Sequence, residues 1–231
     1  MFELLRFLRC YRSYRAILSR KNALLLQDFS DLNDKIVERE EFLLAMASGK
    51  RVLHFGFIDS IFLKQKLAEG TLLHNKLMSV ADFLFGIDID EQLLESYRAL
   101  TNDRQNTVYD IDLGTDQPFL HNDYDLILFP EVLEHVPDPG GVLKNLRKLC
   151  VLNKATLCIT VPNGFHTEGF VAAMHGRELV HPDHFYYFTP HTLKKLLEYA
   201  GFSSIDLRFY NFGSSLAPGL TKAGIIAVCS P

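Results

Sequence analysis

From Arg51 onward, short apolar runs alternate with segments of helical period, and this alternation constrains the fold more than any other feature of the chain. RVLHF (51–55), FLFGID (83–88), TVYDID (107–112), YDLILF (124–129) and ATLCITV (155–161) read as strands. Residues 62–68, 72–81, 91–100 and 142–150 read as helices, as does a segment opened by Thr189-Pro190 and stopped by Gly201. Strands that are apolar on both faces and separated by helices predict an α/β domain, a doubly wound and mainly parallel sheet covered on both sides. Two closing runs, IDLRFY (205–210) and GIIAVC (224–229), have no helix between them and predict a C-terminal antiparallel hairpin.

The N-terminal part has a different character. Met1 to Lys21 carries Arg6, Arg9, Arg12, Arg15, Arg20 and Lys21 against the single acid Glu3, interleaved with apolar residues. This pattern predicts a cationic amphipathic helix that packs on its own domain, meets a partner, or lies on an anionic membrane surface. An acidic stretch, 28–41, predicts a second helix, so residues 1–48 read as a helical extension and 49–231 as the main domain.

Over the whole chain the formal charge is −4 and hydrophobic residues make up 48%. That content fills a sizeable core, and the acidic balance opposes binding to nucleic-acid phosphates. No apolar run approaches the ~18 residues of a membrane span, and no secretory signal pattern is evident. Cys10, Cys150, Cys158 and Cys229 are scattered without a CxxC, as in a reduced, cytoplasmic protein.

In an open parallel sheet, ligands bind beyond the carboxyl ends of the strands. That edge gathers Gly56 to Ser60, Asp88, Asp112, Pro130 to His135, and Pro162 to Gly164. Asp88 ends an apolar strand, so its carboxylate suits two ribose hydroxyls; Asp90 fits the N-cap of the next helix better. Asp112 suits an adenine amino group or closes a turn with Gly114. In PEVLEHV, Glu131, Glu134 and His135 fall at i, i+3 and i+4, which on a helix is one face. His181 and His184 follow in HPDHFYYF. Phe165, Phe170 and Met174, between the fifth strand and HPDH, read as core or as the wall of an acceptor pocket.

The order VLHFG, FGIDID, YDIDL, YDLILFPEVLEHV, ITVPN and HPDHFYYFTPHTLKKLLEYAGF resembles that of class I S-adenosylmethionine-dependent methyltransferases over about 51–231. The resemblance implies a Rossmann-like fold. It also implies a cofactor held by Gly56, Phe57, Asp59, Asp88, Ile89, Asp112, Leu113 and Pro130. One departure stands out. The family's first loop reads DxGxGxG, whereas here HFGFIDS places His54 at the acid, Ile58 at the second glycine and Ser60 at the third. A β-branched residue at 58 requires another loop path or crowds the methionine moiety.

Two branches of the superfamily, the ubiquinone-pathway O-methyltransferases and the small-RNA 3′-terminal 2′-O-methyltransferases, hold a divalent metal in a similar motif. By that likeness Glu131, Glu134, His135 and His184 form a site for Mg²⁺ or another divalent ion, with His181 as the second choice for the last ligand. Without metal, His135 or His184 acts as a general base with Glu131 nearby, and a purely structural role for the motif is the third reading.

The expected activity is O-methylation of a small-molecule acceptor, a sugar or glycan-type hydroxyl first and a phenolic one second. The alternative is a non-catalytic methyltransferase-like binding or regulatory domain. In an enzyme the cleft at Gly56 and Asp88 stands open with a path to His135; in the alternative, Phe57 or Ile58 fills it.

Overall fold

The computed structural model describes residues 29, 31–32, 35–58, 62–211 and 222–231. The chain divides into two compact units, Met1–Asp31 and Leu32–Pro231, and the sheet belongs to the second. The cationic segment Met1 to Lys21, Cys10, and Asp59 with Ser60 lie outside the described residues, as does the side chain of Leu113.

The elements are β1 (Ile36–Glu38), α1 (Arg39–Ala47), β2 (Arg51–Phe55), α2 (Leu63–Glu69), α3 (Leu73–Met78), β3 (Phe83–Asp88), α4 (Glu91–Thr101), β4 (Asn106–Val108), β5 (Leu126–Pro130), α5 (Pro139–Asn153), β6 (Thr156–Pro162), α6 (Thr167–Met174), α7 (Pro190–Ala200), β7 (Ser204–Asn211) and β8 (Gly224–Ser230). The strands form one sheet in the order β1-β7-β8-β6-β5-β2-β3-β4. All pairs are parallel except those of β8, which runs antiparallel to both β6 and β7. The expected doubly wound α/β sheet with its antiparallel C-terminal pair is therefore present.

Alternation along the strands buries both faces. Val52, Leu84, Leu126, Leu128, Cys158 and Ile226 share one core with Leu43 and Ala47 of α1 and Leu77 of α3. Their strand neighbours Leu53, Ile127 and Ile159 point to the other face and are equally buried. There α5 packs on β6, and α7 packs on α5 and β7. Helix α7 starts as its sequence prescribes, with Pro190 in the first turn and a capping box between Thr189 and Thr192; Gly201 stops it at φ +96°.

Strand β1 and helix α1 occupy the segment that composition assigned to the N-terminal extension. β1 pairs with β7 at the sheet edge, Ile36 opposite Phe209, where a helix over 28–41 was expected. No helix among the described residues is long and apolar enough to cross a membrane. The described cysteines, Cys150, Cys158 and Cys229, are free and buried. Burial pushes the thiols of Cys150 and Cys158 up to about 12, which leaves them unreactive.

Candidate active site

After β2 the chain adds β3 and β4 on one side, then crosses to place β5 on the other. A reversal of this kind opens a crevice between the carboxyl ends of the two strands. A cleft is found there, lined by Phe55 and Gly56 after β2, Asp88 and Ile89 after β3, Asp110 to Asp112, and Phe129, Val132, His135 and Val136 after β5. Asp88 stands at its base, only 8% exposed. Its Oδ2 accepts the backbone N–H of Ile58 at 3.0 Å and its Oδ1 those of Ile89 at 2.8 Å and, more weakly, Asp90 at 3.4 Å, which leaves a lone pair on Oδ2. Burial raises the Asp88 carboxyl, and these N–H bonds oppose the rise. Asp90 caps α4 by accepting from Leu93 N at 2.9 Å, so Asp88 is not needed there. Ile89, 75% exposed, offers an apolar surface beside the carboxylate, and exposed Asp112 lies across the cleft. Pro130 is buried at the end of β5.

The altered loop takes a different path from one that would block this cleft. Phe57 and Ile58 both turn into a core cluster with Leu63, Leu72, Leu94 and Tyr97, away from the lining. The Phe57 ring lies 4.3 Å from that of His74 and edge-on to Tyr97 at 5.1 Å. Gly86 makes room for this packing: a Cβ there would lie 2.8 Å from the Phe57 ring and 2.9 Å from His74. His54, in the place of the family's acid, is buried with its Nδ1 3.1 Å from His74 Nδ1. His74 Nε2 in turn faces Asp103 Oδ2 at 3.6 Å. Burial, then the neighbouring His74, lowers the His54 pKa well below 6.5. The loop is thus backed by neutral imidazoles where a carboxylate was the norm. His74 and Asp103 carry no sequence signal that would have joined them to the loop.

The helical spacing of Glu131, Glu134 and His135 is not realised as a helix, so they share no helix face. Leu133–His135 is a single 3₁₀ turn, and Glu131 sits in the left-handed region at φ 53°. Pro137 and Pro139 account for this. A residue before proline is driven from the helical region, and Val136 is extended at φ −92°, ψ 125°. The true helix, α5, begins at Pro139 behind the cap Asp138.

The three side chains therefore diverge. Glu131 turns under the sheet edge, where its Oε1 accepts from Thr160 Oγ1 at 2.6 Å and Tyr210 OH at 2.7 Å, with Arg39 Nε at 3.9 Å. Glu134 is 1% exposed, and neither carboxyl oxygen has a hydrogen-bond partner. His135 faces the cleft. What converges is His135, His181 and His184, whose ring nitrogens lie within 4.8 Å of one another. The four-ligand set Glu131, Glu134, His135 and His184 does not form one cluster, although Glu134 Oε1 is 4.0 Å from His184 Nε2. Burial first, then the other imidazoles, lowers the pKa of both His135 and His184, so each is neutral at pH 7.

Glu134 gives a direct test of this geometry. Burial, reinforced by the Glu131 charge, pushes its carboxyl from 4.5 up to about 9. The folded protein keeps a proton that the unfolded chain releases, so stability falls as pH rises through that interval, by at most about 1.4 kcal/mol per pH unit. Glu134→Gln is expected to raise the melting temperature more at pH 8 than at pH 5. Equal shifts at the two pH values would mean that the carboxyl is not held neutral.

A family of methyltransferase domains matches residues 40–207. The chain belongs to the methyltransferase domain family. Solved structures agree at the level of the fold. A Thermotoga maritima S-adenosylmethionine-dependent methyltransferase, described as a possible histamine N-methyltransferase, superposes with a TM-score of 0.58 at 15% identity, over 99% of this chain and 97% of its own. The small-RNA methyltransferase HEN1 gives 0.57 at 18% identity, over 83% of this chain and 24% of its own. The methyltransferase CalH, in complex with S-adenosylhomocysteine, gives 0.54 at 17% identity, over 83% of this chain and 55% of its own. A comparison with curated proteins finds no match.

In this methyltransferase domain the segment after β6 departs from a core role. α6 buries none of its residues, although five of its eight, Phe170 to Met174, form an apolar run. Phe165 is 52%, Phe170 62% and Phe185 63% exposed, and Met174, Tyr186 and Tyr187 are also exposed. Phe165, Phe170 and Met174 are therefore not core residues. Tyr187 OH is anchored on Leu179 O, and Phe185 N on Glu134 O at 2.8 Å, which ties this apolar segment to the histidine cluster.

Proposed function

We propose that this chain is an S-adenosylmethionine-dependent O-methyltransferase of a small acceptor with an apolar body. The observation that carries the reading is the open cleft at the strand-order reversal, with Asp88 at its base, His135 at its mouth, and Phe57 and Ile58 withdrawn into the core. A non-catalytic domain would have filled that space.

The residues present fit the cofactor. Asp88 offers a free lone pair on Oδ2 and, where the long 3.4 Å bond from Asp90 N gives way, one on Oδ1 for the ribose hydroxyls, Ile89 offers an apolar surface to the base, and Asp112 offers an acceptor to its amino group. When bound, the cofactor supplies an electrophilic methyl group on a sulfonium. The protein's part is to hold the acceptor oxygen in line and remove its proton. His135 and His184, neutral imidazoles at the mouth, are the groups for that proton: as the new oxygen–carbon bond forms and the carbon–sulfur bond breaks, the hydroxyl proton passes to a ring nitrogen. Glu131, committed to Tyr210 and Thr160, fixes the turn that presents His135 rather than touching the acceptor.

Of the two acceptor classes, sugar and phenol, the exposed aromatic and aliphatic segment around Phe165, Phe170 and Phe185 favours a phenolic hydroxyl on a hydrophobic skeleton. The cationic amphipathic sequence of Met1 to Lys21 suits an acceptor presented at an anionic membrane surface by a cytoplasmic, peripherally bound protein. Nucleic acid is disfavoured by the net charge of −4.

Calorimetric titration with S-adenosylhomocysteine tests the reading. One site of micromolar affinity is expected, followed by transfer of labelled methyl to catechol-like and other phenolic acceptors. A flat titration with folded protein would overturn it.

A further inference from the structure

We propose that His135, His181 and His184 form a binding site for a borderline transition-metal ion, with Zn²⁺ and Co²⁺ as its probes, and that the site is not one for Mg²⁺. The inference rests on the function proposed above and changes its proton step: an ion at the mouth of the same cleft would take the imidazole nitrogens and itself acidify the acceptor hydroxyl, whose proton would then pass to solvent. It does not depend on the cofactor for its test.

The donor set decides the metal. Three imidazole nitrogens within 4.8 Å of one another come from two segments, the 3₁₀ turn after β5 and the HPDH loop. At a zinc–nitrogen distance of about 2.0–2.1 Å, tetrahedral ligand nitrogens stand roughly 3.3 Å apart. The cluster has to tighten by about 1.5 Å at most, which small side-chain rotations supply. The His181 side chain is 40% exposed, and the bond that its Nδ1 accepts from Asp183 N is long at 3.3 Å, so little resists a small rotation of the ring.

Imidazoles suit zinc, cobalt, nickel and copper; Mg²⁺ demands oxygen ligands. Of the two carboxylates expected to make an oxygen-rich site, Glu131 accepts from Tyr210 and Thr160, and Glu134 lies buried behind His184 and outside the cluster. Three protein ligands leave a fourth position open, as in catalytic rather than structural zinc sites.

A second, independent observation points the same way. Glu134 is buried with both carboxyl oxygens unpartnered, and its Oε1 is 4.0 Å from His184 Nε2. A carboxyl behind a ligating imidazole fixes that ring's orientation, and a slight rotation of His184 would satisfy the orphaned oxygen. Phe185 N bonding to Glu134 O at 2.8 Å keeps the two segments in register. An open, apolar segment beside such an ion matches an acceptor that offers one hydroxyl oxygen to the fourth position.

The test uses untagged full-length protein stripped with chelator and titrated with Zn²⁺ by calorimetry and with Co²⁺ by visible absorption. One equivalent of Zn²⁺ is expected, with cobalt bands typical of low coordination number and no displacement by millimolar Mg²⁺. His181→Ala should weaken Zn²⁺ binding at least tenfold and bleach the cobalt spectrum without lowering the melting temperature. His191→Ala, at an exposed histidine outside the cluster, should leave Zn²⁺ affinity unchanged. Absence of stoichiometric binding, or binding that survives both His181→Ala and His184→Ala, would overturn the proposal. So would a site that prefers Mg²⁺ and is lost in Glu131→Gln. S-adenosylhomocysteine binding measured on the same metal-free sample keeps failure of the metal site distinct from failure of the methyltransferase reading.

Discussion

Replacing Asp88 with alanine is expected to lower affinity for S-adenosylhomocysteine at least a hundredfold and to leave the sheet folded. Asp88 ends β3 with its carboxylate at the base of the cleft, and two ribose hydroxyls have no other buried carboxylate to bond among the residues that line it. A hydrogen bond to a charged partner contributes about 1.5–3 kcal/mol, so two bonds correspond to roughly 10²–10⁴ in affinity. The same carboxylate also accepts from Ile58 N, Ile89 N and, at 3.4 Å, Asp90 N, so alanine frees three backbone donors and loosens the turn. Asp88→Asn separates the two contributions. Its one carbonyl oxygen can still anchor the turn, and it relieves the cost of a buried charge. Its NH2 cannot accept the backbone N–H bond on the other side, so its melting temperature should lie between those of the wild type and Asp88→Ala, while its affinity falls by an intermediate factor. Calorimetry and thermal melts on both variants decide the matter; wild-type affinity in Asp88→Ala would remove Asp88 from the site.

The second large effect is expected at Gly56. Two separate constraints meet there. Its φ of +61° lies in the left-handed region, and a Cβ would stand 2.3 Å from Val132 Cγ2. The backbone conformation costs a substituted residue about 1–2 kcal/mol, and overpacking adds about 1–3 kcal/mol. Gly56→Ala should therefore lose roughly 2–5 kcal/mol, which for a domain of this size lowers the melting temperature by roughly 4–20 °C. Val132→Ala added to it removes the clash but not the strain, so the double variant should recover only part of the loss. A wild-type melting temperature in Gly56→Ala would show that the turn relaxes freely and that the loss of the other two family glycines cost the loop nothing.

The sheet was legible because its signals are local. RVLHF and FLFGID carry their apolar character within each segment, and the observed strands Arg51–Phe55 and Phe83–Asp88 coincide with them. The capped helix α7 was legible for the same reason. Misreadings arose where a residue's partner is distant. Glu131 is held by residues 29 and 79 positions away, and no spacing rule reaches that far. The pattern E-x-x-E-H is genuine helical spacing, yet Pro137 and Pro139, one turn later, forbid the helix that would use it. Strand β1 is only three residues long and sits in an acidic stretch, so its identity comes from β7 alone. Ile58 shows the opposite case: its bulk signalled a changed loop, but only the cluster with Leu63, Leu72 and Tyr97 reveals that the change is inward.

The place of β8 in the sheet sets an order of assembly. β6, β5, β2, β3 and β4 are mutual neighbours and can pair once residue 162 has been made. β7 has no partner among them. It joins only through β8, which lies between β6 and β7, and β1 joins only through β7. During synthesis, therefore, the half of the sheet that builds the cleft precedes the half that clamps Glu131, because Tyr210 belongs to β7. Until Gly224–Ser230 is in place, β6 presents an unpaired apolar edge, the kind of surface that nascent chains leave to chaperones.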